Sequence, residues 1–232
     1  RYLQADLSRD GTRAVASSAL GVTLLDFTDA TSRTIFRGDD NSPLIAIFSP
    51  ELGSIIAGVH SGGLSVIDDE PPYSAQNYRG HSEPLFGLVH SPSSNALFTS
   101  SYDGRIRRWD PDTWASEVVS TGDARVYRVD VTEDGRFLAA SQSNGVAAIM
   151  ELETGDVREL RGHVDEVNSV RIDSTGRRVA TTSDDGTVRF WDIETGRSLW
   201  HTTALVGDPP QHLSHRGWSR LDDSDESLEQ GE

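Results

Sequence analysis

Within the stretch from Arg161 to Trp200 stand a histidine, a hydroxyl and an acid: His163, Ser183 (or Thr181) and Asp185. These are the residue types of nucleophilic acyl transfer, in which an imidazole takes the hydroxyl proton and a carboxylate orients the imidazole. The same types recur upstream as His81, Ser101 (or Thr99) and Asp103. Two facts weigh against a hydrolase. The set occurs twice, and each copy ends on a tryptophan, Trp109 or Trp191. A nucleophile is needed once, whereas a packing device recurs with the element that carries it. The structural reading is therefore preferred.

Other chemistries are narrowed by composition. All 21 basic residues are Arg and none is Lys, which removes a phosphate-loop lysine, a kinase strand lysine and a Schiff base. Cysteine is absent, so disulfides, thiolate zinc sites and a Cys nucleophile are excluded. The glycine-rich run His60-Ser61-Gly62-Gly63 lacks the lysine of a phosphate loop and sits on a hairpin. His212 and His215 have a metal-ligand spacing but no third ligand nearby, and a plain loop is the expectation. No cofactor and no metal is expected. A net charge of −16 repels nucleic acid and anionic membranes. No apolar run approaches the ~20 residues of a membrane-spanning helix, no secretory signal pattern appears, and cytoplasm is the default compartment. Arg-only usage also points to a GC-rich bacterial genome.

The elements that must hold these residues are short strands. Between the Gly-His pair and Trp191-Asp192, apolar and polar residues alternate with the period of a half-buried strand. The pattern repeats. Turn glycines at Gly21, Gly63, Gly104, Gly145 and Gly186 recur at intervals of 41 or 42 residues. Strand ends follow at Leu25-Asp26, Ile67-Asp68, Trp109-Asp110, Met150-Glu151 and Trp191-Asp192, with Leu25 and Ile67 one residue early for their glycines. An earlier turn recurs at Asp10-Gly11, Leu52-Gly53, Ser93-Ser94, Asp134-Gly135 and Thr175-Gly176. The opening pair appears as Gly38-Asp39, Gly80-His81, Gly122-Asp123 and Gly162-His163. Four columns in one register specify a unit of about 41 residues with four strands.

Gly-His, Asp-Gly and Trp-Asp at this spacing resemble the WD-repeat β-propeller family over roughly residues 1–202, most strongly in the third and fifth units. The resemblance implies an all-β ring of four-stranded antiparallel blades. Physics agrees. A lone four-stranded sheet leaves both faces wet, and stacking its neighbours buries them. The resemblance also implies hydrogen-bonded quartets: His81, Ser101 (or Thr99), Asp103 and Trp109 in unit three, and His163, Ser183 (or Thr181), Asp185 and Trp191 in unit five. Unit one (Leu20, Leu25), unit two (Asp39, Gly62, Ile67) and unit four (Asp123, Asn144, Met150) depart from that pattern and must rely on apolar packing.

The expected blades are approximately 1–38, 39–80, 81–121, 122–162 and 163–202. Five whole units with no remainder are read as part of a larger ring, a closed five-blade ring being the alternative. Residues 203–232 break the repeat. Pro209-Pro210 stops a strand, Leu213 to Leu221 has room to add one more strand or to pack across a channel mouth, with Trp218 as the anchor, and the acidic run from about 222 is expected to be disordered.

For function, the resemblance implies protein recognition: a scaffold or sensor module, the C-terminal propeller of a larger bacterial signalling or effector protein. The alternative is an enzyme in the central channel, but the first strands read as Leu, Val, Ile and Phe with few acids. The expected contact surface is the rim formed by the b–c turns (Ala19, Ser61, Tyr102, Ser143, Asp184) and the d–a loops (Asp40, Glu83, Arg125, Asp165). Aromatic and Arg side chains make the best interface anchors, so Tyr102 and Arg125 rank first, with Asp184, Asp165 and Glu83 beside them.

Overall fold

The computed structural model describes residues 2–37, 43–49 and 52–203. Gly38, Asp39, Asp40 and the tail 204–232, with His212, His215 and Trp218, lie outside the described residues. The described residues form twenty strands in five four-stranded antiparallel sheets. Blade 1 holds β1 (Tyr2–Leu7), β2 (Arg13–Ser18), β3 (Gly21–Asp26) and β4 (Thr31–Phe36). Blade 2 holds β5 (Pro43–Ser49), β6 (Ser54–Val59), β7 (Gly63–Asp68) and β8 (Ala75–Arg79). Blade 3 holds β9 (Leu85–Ser91), β10 (Ala96–Ser101), β11 (Arg105–Trp109) and β12 (Ser116–Thr121). Blade 4 holds β13 (Val126–Val131), β14 (Phe137–Gln142), β15 (Val146–Glu151) and β16 (Val157–Arg161). Blade 5 holds β17 (Val167–Ile172), β18 (Arg178–Ser183), β19 (Thr187–Asp192) and β20 (Ser198–Thr203). Each is a plain meander, a–b–c–d.

The seams between blades are the core. Val15, Val22 and Leu24 of blade 1 pack on Ala46, Phe48, Ile55 and Ile67 of blade 2. The later seams repeat this: Ile56 and Leu64 on Leu97 and Trp109, Phe98 and Ile106 on Leu138 and Met150, Ile149 and Leu160 on Val179 and Trp191. Second strands carry the densest packing, and β6 and β10 are buried at every position. Small residues there let neighbouring sheets approach on both faces. Each fully buried Ile, Leu or Val contributes roughly 1.5–3 kcal/mol. The first strands of successive blades touch in chain order, which places them innermost.

The turn column needs one revision. In blade 2 the left-handed turn residue is Gly62 (φ 83°), whose N–H donates to the Val59 carbonyl, as Gly104 N–H does to Ser101. Gly63 already begins β7. Ile67 then falls five residues after its turn glycine, as Trp109, Met150 and Trp191 do in blades 3 to 5. In blade 1 the turn is the two-residue Ala19-Leu20, because Ser18 pairs directly with Gly21.

The outward face of blade 5 differs from its counterparts. Ala139 and Ala147 with Ile149 are wholly buried against blade 5. The matching residues one blade on, Ala180, Val188 and Phe190, are partly exposed, and Trp200, paired to Phe190, is 57% exposed.

Candidate interaction rim and its polar quartets

The b–c turns and d–a loops emerge at one end of the blades. In blades 3 and 5 this end is pinned by a chain of hydrogen bonds. Trp109 Nε1 donates to Thr99 Oγ1 at 2.8 Å, Thr99 Oγ1 lies 2.8 Å from His81 Nε2, and His81 Nδ1 lies 3.1 Å from Asp103. Asp103 also accepts from the N–H groups of Ser82 and Arg105. Blade 5 repeats it with Trp191 to Thr181 at 2.9 Å, Thr181 to His163 at 2.8 Å and His163 to Asp185 at 2.8 Å.

The hydroxyl in each quartet is Thr99 or Thr181, and not Ser101 or Ser183. The reason is register. Trp109 pairs with Leu97, and Thr99 is the next residue on the same face. Ser101 lies a further two residues along, about 6.6 Å away at the rise of a strand. Ser101 instead donates to the Glu83 carbonyl and accepts from Asp103 N–H, and Ser183 does the same with Asp165 and Asp185. These serines tie the d–a loop to the turn.

Donor logic fixes the protonation. An indole N–H only donates, so the threonine oxygen accepts from it and turns its own proton to His Nε2. The imidazole is then neutral, with Nδ1–H donated to the carboxylate. Burial holds both histidines below their ordinary value in spite of the acid beside them. Burial works to raise Asp103 and Asp185, but His81 for the first and Thr187 and His163 for the second outweigh it, and both carboxyls stay below the usual range. The sign for stability follows. A histidine with a lowered folded value contributes fully above about pH 6.5, and that contribution is lost as pH falls. The carboxylates extend the loss to lower pH. His81 and His163 are therefore expected to titrate by NMR below 6.5, with the melting temperature falling from pH 7 to 5. Titration above 6.5 would show charged imidazoles in the fold and contradict the assigned proton chain.

The two sites lack the layout of a hydrolase. The hydroxyl is wholly buried in both copies, since Thr99 and Thr181 are 0% exposed, and its lone pairs are committed to an indole N–H.

Above the quartets the side chains of three blades interlock. Phe86 stacks on Tyr102 at 4.2 Å and 6°, and Tyr102 meets Tyr127 edge-on at 5.6 Å. The Arg125 guanidinium covers Tyr102 at 5.0 Å. Tyr127 donates to Glu166 of blade 5 at 2.6 Å, and burial together with that acceptor pushes its phenol up to about 12. Arg125, Glu83, Asp165 and Asp184 are exposed, and Tyr102 is partly so. The structure thus brings Tyr102 and Arg125 into one cluster, with Asp184 held by Asn168 at its far side. Phe86, Tyr127 and Glu166 belong to the same surface and were not among the sequence candidates. Phe86, Tyr127 and Asn168 stand 41 residues apart, a column that alone would have found them. Val164, 88% exposed on the d–a loop of blade 5, adds an apolar contact.

The two units with complete quartets are also the ones that match a known family. The WD40 family (WD domain, G-beta repeat) matches residues 73–110 and 155–192, each stretch ending on the Trp-Asp pair. The chain has the β-propeller fold and carries WD40 repeats. Its fold is that of a chain in a crystal structure of the mitotic checkpoint complex, with a TM-score of 0.80 at 17% identity, covering 87% of this chain and 63% of that one. WD repeat-containing protein SL1-17 of Schistosoma mansoni is 33% identical over 123 residues, 53% of this chain and 41% of the relative. Protein LST8 homolog of Dictyostelium discoideum is 30% identical over 102 residues, covering 42% and 33%. Transcription initiation factor TFIID subunit 5 of Caenorhabditis elegans is 25% identical over 196 residues, covering 78% and 30%. The WD40 blades thus span less than half the length of these curated relatives.

The first strands of the blades carry two acids, Asp6 and Asp130. Asp6 and Asp130 are partly buried, and the loss of water around them pushes both carboxyls up. Each has a structural task. Asp6 accepts from Phe48 N–H at 3.0 Å and Asp130 from Ile172 N–H at 2.8 Å, both on the next blade. The inner edge of a blade has no neighbouring strand, so these acids satisfy backbone donors that sheet pairing leaves over. Among the described residues no three His, Asp or Glu side chains converge as a metal site, and no helix is long and apolar enough to cross a membrane.

Proposed function

We infer that this WD40 domain is a protein-binding module, a scaffold or sensor in a larger multidomain protein, which recognises a protein partner or restrains a fused effector. The observation that carries this reading is the Phe86–Tyr102–Tyr127 cluster capped by Arg125. Rigid aromatic and Arg side chains of this kind are the usual anchors of protein interfaces. Complex membership in the relatives supports it: one is a TFIID subunit, and others are named as target of rapamycin complex subunits. Asp6 and Asp130, the partly buried inner acids, are committed to backbone donors, which favours a binder over a channel enzyme. The partly exposed face of blade 5, with Phe190 and Trp200, supports a further sheet packed against it. The all-Arg basic complement supports a bacterial source.

The test is the set of proteins retained by the domain from its native cell. Tyr102→Ala combined with Arg125→Ala is expected to lose specific partners at least tenfold, while Val118→Ala on an outer strand keeps them. Equal retention by both variants would remove the rim as the contact surface.

A further inference from the structure

A second site stands at the opposite end of the blades, at the seam between blades 2 and 3. There a cleft of about 210 Å³ is lined by Leu52, Val66, Asp68, Gln76, Tyr78 and Trp114. It is smaller than a usual cofactor pocket and suits one side chain. Tyr78 and Trp114 stack across the seam at 5.0 Å and 19°.

Trp114 sits where its sister blades place glycine. In blades 4 and 5 the corresponding c–d turn residue is Gly155 or Gly196, at φ 76° and 67°, with N–H donated to Glu151 or Asp192. Trp114 N–H donates to Asp110 in the same way, and its φ is 57°. A bulky residue in left-handed backbone is an outlier that points to function. Tyr73 is a second one, at φ 56° in blade 2.

Four other aromatic rings among the described residues are covered by guanidinium groups. Arg33 lies over Tyr73 at 5.6 Å, Arg125 over Tyr102 at 5.0 Å, Arg13 over Phe48 at 5.6 Å, and Arg136 over Phe137 at 4.4 Å. Among the described residues no Arg covers Tyr78 or Trp114, and none lines the cleft. Of the polar groups that line it, the Asp68 carboxylate accepts from Ser74 and has a further oxygen to offer. The Gln76 amide oxygen accepts from the Tyr78 phenol, and the Ser54 hydroxyl donates to the Leu52 carbonyl. Asp68 and Gln76 are exposed. Tryptophan is the strongest aromatic partner for a cation.

We propose that this cleft binds an arginine side chain of a protein partner, its guanidinium stacked on Trp114 and paired with Asp68. The net charge of −16 draws such a partner in. The site is separate from the rim, and either stands if the other fails.

The test follows the tryptophan indole N–H signals by NMR while a capped Gly-Arg-Gly peptide is added at constant ionic strength. The Trp114 signal, assigned by its loss in Trp114→Gly, is expected to shift saturably while that of Trp200 stays in place. Glycine suits that turn, and unchanged Trp109 and Trp191 signals verify that this variant keeps its fold. The neutral citrulline peptide is expected to give no saturable shift, and Asp68→Asn to weaken binding about fivefold. An unmoved Trp114 signal, equal binding of the citrulline peptide, or full affinity in Asp68→Asn would each overturn the proposal.

Discussion

Asp103→Ala lowers the folding free energy by about 3 kcal/mol, because it removes one partner of a buried pair and leaves the other without its acceptor. For a domain of this size that corresponds to a fall of roughly 6–12 °C in melting temperature. The loss has three parts. His81 Nδ1–H keeps no carboxylate, the N–H groups of Ser82 and Arg105 lose theirs, and the turn that carries Gly104 loses its brace. Thr99→Val is nearly isosteric and probes the other end. It orphans the buried Trp109 Nε1 and His81 Nε2 together, and about 2–4 kcal/mol is expected from two unsatisfied groups. Thermal melts of both variants decide the matter. Unchanged melting would remove the quartet as a lock.

Gly104→Ala is the second large effect, about 3 kcal/mol or more, and Gly186→Ala costs only about 1 kcal/mol. The two glycines share a turn type and nearly the same backbone, φ 76° and 77°, so left-handed strain is equal in both. The surroundings separate them. A β-carbon on Gly104 would lie 2.0 Å from the Gly122 carbonyl oxygen, which belongs to the d–a loop of the same blade. At Gly186 no described residue lies within 4 Å. Backbone cannot swing aside as a side-chain tip can, so Gly104→Ala must push the loop that leads to Arg125 and Tyr127. Denaturant unfolding of the pair measures the difference. Equal costs would show that backbone strain alone acts and that the loop is free to move.

Much of the architecture was legible in the chain because each unit repeats its punctuation. Gly104 and Gly186 marked turns, Trp109 and Trp191 marked strand ends, and alternation between them gave the strands. What escaped was set by register and by contacts between units. Ser101 and Thr99 are equally good hydroxyls in the sequence, and only the pairing of Trp109 with Leu97 puts Thr99 within reach. Gly62 and Gly63 are indistinguishable by type, and the ladder chose Gly62. Asp6 and Asp130 look like stray acids on apolar strands until the next blade supplies a backbone donor. Trp114 stands in the turn position of Gly155 and Gly196, which only the shared backbone hydrogen bond reveals.

The central claim is that protein partners meet the rim over blades 3 to 5. Hydrogen–deuterium exchange of the domain with a captured partner reads this directly. Protection is expected in residues 82–87, 101–105, 123–128 and 164–168, where Phe86, Tyr102, Arg125, Tyr127 and Val164 stand. Protection confined to the outer strands β8, β12, β16 and β20, with those four segments unchanged, would contradict it.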